Sequence, residues 1–118
     1  MHKLGRNAGN QMIREFGLTE FPNIDAEYYL VDGGVIAATG CRFGGMEMHI
    51  AFQDKSMVRS SVSKFCSEIA GPWWALIRSD RKSVINSAIK SGFEFQFNFK
   101  GCSIVDNIER EYVALKRG

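Results

Sequence analysis

The chain has 118 residues, 45% hydrophobic and 24% charged, with a formal net charge of +2. That length suits one domain, 1–118, able to bury roughly two thirds of its unfolded surface. The near-balanced charge argues against a nucleic-acid partner. No apolar run approaches the roughly 18 residues of a membrane span, so neither a span nor a signal peptide is expected.

Ala8, Met12, Ile13 and Phe16 share one helical face, and Gly17 follows at the stop position. Residues 18–26 hold Pro22, Asn23 and Asp25 and read as a loop, with Phe21 tucked beneath it. Two β-prone runs, 27–31 and 35–42, flank Asp32-Gly33-Gly34, a hairpin signal because the turn needs positive φ. Gly44-Gly45 marks a second turn. Met46, Met48, Ile50 and Phe52 then alternate with Glu47, His49 and Ala51 in a third strand, 46–52. Asp54 or Ser56 can open the next helix, on which Val58, Val62, Phe65, Cys66 and Ile69 form one apolar stripe.

The stretch 73–99 reads as strand, helix and strand. Gly71-Pro72 punctuates the chain before Trp73-Trp74 opens an apolar run, 73–78. Ser79 or Asp80 can cap a helix over 81–91, with Val84, Ile85, Ala88 and Ile89 on one face and Gly92 closing it. Phe93, Phe95, Phe97 and Phe99 alternate with polar residues, which predicts a strand, 93–99, with one buried aromatic face. On that reading Phe95→Ala would cost roughly 3–5 kcal/mol. A loop around Gly101 leads to a last strand, 109–116. The fold class is therefore α+β, a mixed sheet with helices on its faces. Cys41, Cys66 and Cys102 are an odd number at no metal-ligand spacing with His2 or His49. They read as reduced thiols of a cytoplasmic protein, and no metal site is expected.

The order of elements, with a helix ending in Ser91-Gly92-Phe93, resembles a GNAT-type N-acetyltransferase from about Glu27 onward. It is that family's order without its first strand and one N-terminal helix. The resemblance implies that strands 46–52 and 73–78 are neighbours that splay apart, and that acetyl-CoA enters between them. It implies a phosphate-binding turn at the start of the helix after strand 46–52. There the chain has no glycine and offers Lys55, Ser56, Arg59, Ser60 and Ser61. It implies a base on strand 46–52, for which Glu47 and His49 share a face. The tyrosine that often protonates the thiolate falls at Ala88, and the asparagine that often opens that helix falls at Arg81. Tyr28, Tyr29 and Tyr112 remain as substitutes if the fold brings one to the cleft.

Phe21-Pro22, Trp73-Trp74 and the helix through Ser91-Gly92 are also similar to small GNAT-like proteins of short-tailed bacteriophages, including an internal virion protein. Two functions follow as expectations. One is an acyl-CoA-dependent N-acetyltransferase acting on an amine of a small molecule or protein, in the cytoplasm. The other is a catalytically silent phage protein that binds a host or virion protein.

Overall fold

The computed structural model describes residues 1–17 and 21–118. Among these, ten elements follow in the order β1 (His2–Leu4), α1 (Arg6–Gly17), β2 (Glu27–Val31), β3 (Gly34–Gly40), β4 (Met46–Phe52), α2 (Val58–Glu68), β5 (Trp73–Arg78), α3 (Lys82–Lys90), β6 (Glu94–Cys102) and β7 (Glu109–Arg117). A 3-10 turn, Lys55–Met57, leads into α2. The strands form one mixed sheet in the order β1-β2-β3-β4-β5-β7-β6. Only β4 and β5 are parallel neighbours in it. The mixed α+β sheet expected from the sequence is present.

Both predicted hairpins form. Gly33 turns β2 into β3 at φ 82°, and Gly44 and Gly45 turn β3 into β4 at 94° and 67°. Those dihedrals are open to glycine without the steric cost a Cβ would bring. The missing first strand is corrected: β1 pairs antiparallel with β2, Lys3 opposite Tyr29. Three residues are too few to show a period, and β1 exists because the β2 edge offers it hydrogen bonds. The predicted face of α1 is shifted. Gly9, Asn10 and Ile13 are its buried residues, and Ala8 is exposed. Gly9 permits this, since a Cβ there would lie 2.3 Å from Tyr28 Cβ. In the predicted 18–26 loop, Leu18, Thr19 and Glu20 lie outside the described residues, and Phe21 is buried as expected.

Each face of the sheet has its own core. Under α1 lie Ile13, Phe21, Tyr28, Val35, Ala37 and Ala51. Under α2 and α3 lie Ile36, Met48, Phe52, Val62, Phe65, Trp73, Phe93 and Leu115. The predicted stripe of α2 is the observed one: Val62 and Phe65 are buried, with Val58, Cys66 and Ile69 packed beside them. The cap of α3 differs from expectation. Arg81 stands at the N-cap with no side-chain hydrogen bond, because Asp80 instead accepts two from the Arg78 guanidinium, at 2.8 and 3.2 Å. Ile85 and Ala88 pack on the core, whereas Val84 and Ile89 are exposed.

The aromatic ladder is also corrected. Phe93 is buried but precedes β6, and Phe95 is 55% exposed. A bulge between Phe95 and Phe97 inserts an extra residue, which reverses the side-chain alternation. Phe95 therefore lies opposite Leu115, on the α2–α3 face, while Phe97 and Phe99 lie opposite Ala114 and Tyr112 on the other. There Phe43, from the β3–β4 turn, packs edge-on against Phe97 and Phe99 at centroid distances of 4.9 and 5.2 Å.

The site depends on how β4 leaves β5. The two strands pair only at Met46↔Trp73 and Glu47↔Trp74. Past these pairs β4 stays with β3 as far as Phe52, and β5 stays with β7 as far as Arg78. The facing edges of β4 and β5 are thus free of each other beyond Glu47 and Trp74.

Candidate functional site

A cleft of about 550 Å³ fills the gap between the diverging strands. It reaches both faces of the sheet, because its walls include Met48 and Ile50 as well as Glu47 and His49. On the α2–α3 face Val58, Val62, Ile77 and Val84 give an apolar wall, with Arg81, Ser87 and Ser91 of the α3 segment at its side. On the α1 face they are polar and aromatic, with Arg42, Glu47, His49, Phe99, Arg110 and Tyr112.

Glu47 and His49 project together because they are two apart on one strand. Their register places them opposite Thr39 and Ala37 of β3. His49 Nε2 lies 3.0 Å from Thr39 Oγ1 and 3.6 Å from Glu47 Oε2, and the ring meets Phe21 edge-on. Both side chains stay reachable, at 21% exposure for Glu47 and 17% for His49. Burial pushes the Glu47 carboxyl up to about 7, with Arg42 pulling weakly the other way. Burial holds the His49 imidazole down to about 4. Near neutral pH Glu47 thus titrates beside a neutral imidazole, and the 3.6 Å contact is not an ion pair. A carboxylate poised near 7 is suited to accept a proton from an amine.

The cations of the α1-face mouth divide into paired and unpaired. Arg110 donates to both oxygens of Asp106 at 2.7 and 2.9 Å, and Arg78 is held by Asp80. Arg42 forms no ion pair among the described residues. Its guanidinium lies over the rings of Phe99 and Phe43, 5.1 and 5.7 Å from their centroids.

The expected cofactor residues are divided by the fold. Arg81, at the start of α3, lines the cleft. Lys55, Ser56, Arg59 and Ser60 are exposed near the start of α2, outside the cleft walls. Asp54 occupies the 3-10 N-terminus and accepts from Ser56 N at 3.1 Å and Ser56 Oγ at 2.6 Å. Ser60 donates its hydroxyl to Met57 O, and buried Ser61 donates to Asp32 O. Among the described residues Lys55, Arg59 and Arg81 form no ion pair, so they are the cations of the expected set open to an anion.

Of the three tyrosines, Tyr112 alone lines the cleft. Tyr28 is fully buried under α1, and Tyr29 packs on Phe65 with its hydroxyl donating to Glu27. Tyr112 stacks on Phe99 at 5.4 Å and pairs with Arg78 of β5. Tyr112 is one of three tyrosines that the sequence alone does not separate, and Arg42 carries no motif. Arg42 lies in the β3–β4 turn, outside the ladder that pairs Glu47 with Thr39, so no strand register in the sequence points to it.

The fold and site together define a small α+β domain with a cleft through its sheet and a carboxyl group that titrates near neutrality inside it. No family model matches the chain, and no curated protein matches it. Among the described residues no helix is long and apolar enough to cross a membrane.

Proposed function

We propose that this is a GNAT-type domain that transfers an acyl group from acetyl-CoA to an amine in the β4–β5 cleft. One observation carries the reading: two parallel strands part after two residue pairs, and Glu47 sits at the point of parting with its carboxyl raised to about 7. The β4 edge beyond Glu47 has backbone groups without a β5 partner, and such groups seek hydrogen bonds. They suit the amides of a pantetheine arm, and the apolar walls formed by Val58, Val62 and Val84 suit its carbon chain. Lys55, Arg59 and Arg81 are the cations on the helix side that would meet the phosphates. The residues present fit acyl-CoA in this way, by side-chain charge more than by a backbone cradle.

When bound, acyl-CoA supplies an activated thioester. Glu47 takes the proton of the attacking amine, while His49 and Thr39 keep its neighbourhood neutral and ordered. Tyr112 is the cleft's hydroxyl donor for the departing sulfur, in place of the residue absent at Ala88.

A second reading, a catalytically silent GNAT-like phage protein that binds a host or virion protein, draws support from Asp54. Its carboxylate occupies the turn where a phosphate would sit and repels one. Calorimetric titration with acetyl-CoA separates the two. The transferase reading expects a dissociation constant of roughly 1–100 μM, or about −8 to −5 kcal/mol. Absence of heat at millimolar ligand favours the silent protein.

A further inference from the structure

Among the described residues, the α1-face mouth of the cleft holds a guanidinium and a carboxyl that are not paired with an opposite charge. Arg42 and Glu47 both line it and form no ion pair with each other. The other charged groups there are satisfied, Arg110 by Asp106 and Arg78 by Asp80. The remaining titratable groups that line the cleft among the described residues are His49, held neutral by burial, Tyr112 and Cys102, with Arg81 on the helix side. A cation and a carboxyl that share a cleft without closing on each other leave room for a ligand carrying both complementary charges. Arg42 is also preset for the role. Phe99 and Phe43 support the guanidinium, and a guanidinium stacked on rings keeps its N–H fork free at the edge for a carboxylate. The adjoining wall is apolar, formed by Phe99, Leu76 and Ile104.

We infer that the acyl acceptor is a free α-amino acid with an apolar side chain. Its carboxylate meets Arg42, its amine meets Glu47, and its side chain lies against Phe99, Leu76 and Ile104. This assignment rests on the acyl-transfer reading above. In the reaction the amine nitrogen gives its lone pair to the thioester carbonyl carbon, so a C–N bond forms and the C–S bond breaks. The amine proton passes to the Glu47 carboxylate, the thiolate is protonated from Tyr112 or water, and the product is an N-acyl amino acid.

The test uses phenylalanine, 2-phenylethylamine, which lacks the carboxylate, and 3-phenylpropanoate, which lacks the amine. Binding of each to the whole chain is measured by calorimetry, and CoA release by coupled assay with acetyl-CoA. Phenylalanine is expected to bind at least about tenfold tighter than either partial ligand, since each charged hydrogen bond is worth that factor or more. Arg42→Gln is expected to reduce phenylalanine binding to the level of 2-phenylethylamine and to leave 2-phenylethylamine unchanged. The wild-type comparison stands if Arg42→Gln does not fold. Equal binding or turnover of phenylalanine and 2-phenylethylamine overturns the inference, as does no binding of phenylalanine at millimolar concentration. If acetyl-CoA binds in either case, the acyl-transfer reading survives. If phenylalanine is preferred but acetyl-CoA does not bind, the acyl-transfer reading fails and its acceptor with it, leaving an amino-acid binding site.

Discussion

Glu47→Gln is expected to lower CoA release by at least about 10²-fold at pH 8, the lower end of what general-base assistance provides. Acetyl-CoA affinity is expected to stay nearly unchanged, because Glu47 faces the α1 side of the sheet and the expected phosphate cations lie on the other. The pH profile identifies the base. Glu47 must be ionised to accept a proton, so turnover is expected to rise through about pH 7. Were His49 the base, the rise would come near pH 4. His49→Ala is therefore expected to do less than Glu47→Gln. The same carboxyl affects stability with a definite sign. Its folded value, about 7, lies above the ordinary 4.5. Its contribution is then fully present below pH 4.5 and is lost as pH rises through 7. Replacing it with Gln removes an ionised carboxyl from a mostly buried place. Glu47→Gln is thus expected to raise stability above pH 7, by up to roughly 3 kcal/mol from a shift of this size. Lost turnover with unchanged stability at pH 8 would mean that Glu47 is not held in the cleft as described.

Phe65→Ala is expected to destabilise the fold by about 3–5 kcal/mol, whereas Phe95→Ala is expected to cost less than about 1 kcal/mol. Phe65 is 1% exposed and joins α2 to the sheet through Tyr29 and Trp73, each with a centroid distance of 5.1 Å. Truncating it leaves a cavity between layers that neither ring can fill without breaking its own contacts. Trp73 in particular is held by its indole N–H, which donates to Ile69 O at 2.9 Å. Phe95 faces the same layer at the edge strand, where α3 does not cover it. Urea denaturation of both variants checks the pair. Equal losses would place Phe95 in the core and make the bulge irrelevant.

The contrast between these two phenylalanines shows which features of the sequence were legible. Val58, Val62, Phe65, Cys66 and Ile69 repeat at helical spacing over three turns, and Asp32-Gly33 has few alternatives to a turn, so α2 and the β2–β3 hairpin could be read directly. The ladder Phe93, Phe95, Phe97 and Phe99 has a flawless period of two, yet the inserted residue at the bulge splits it between faces. A bulge depends on what the partner strand offers, and the shift in register against β7 is not written in the spacing of β6 itself. β1 was invisible for a related reason, since its three residues gain strand geometry only from β2.

The site was legible in part. Alternation placed Glu47 and His49 on one face, and the fold puts that face in the cleft. Whether Ser61 could meet an anion was not readable, because its hydroxyl is claimed by Asp32 O, 29 residues away in sequence. Asp80 likewise looked like a cap until Arg78 engaged it. In both cases a long-range or competing partner decided the role of a short polar side chain.

The claim that acyl-CoA occupies the gap between β4 and β5 is tested most directly by backbone amide exchange with and without acetyl-CoA. The gap-facing amides of β4 between Met48 and Phe52 have no β5 partner, so they are expected to exchange readily in the free protein and to gain protection on binding. The amides of β2 and β3, already paired on both sides, are expected to change little. Protection that appears elsewhere, or no change on β4 at saturating acetyl-CoA, would contradict the assignment of the cleft.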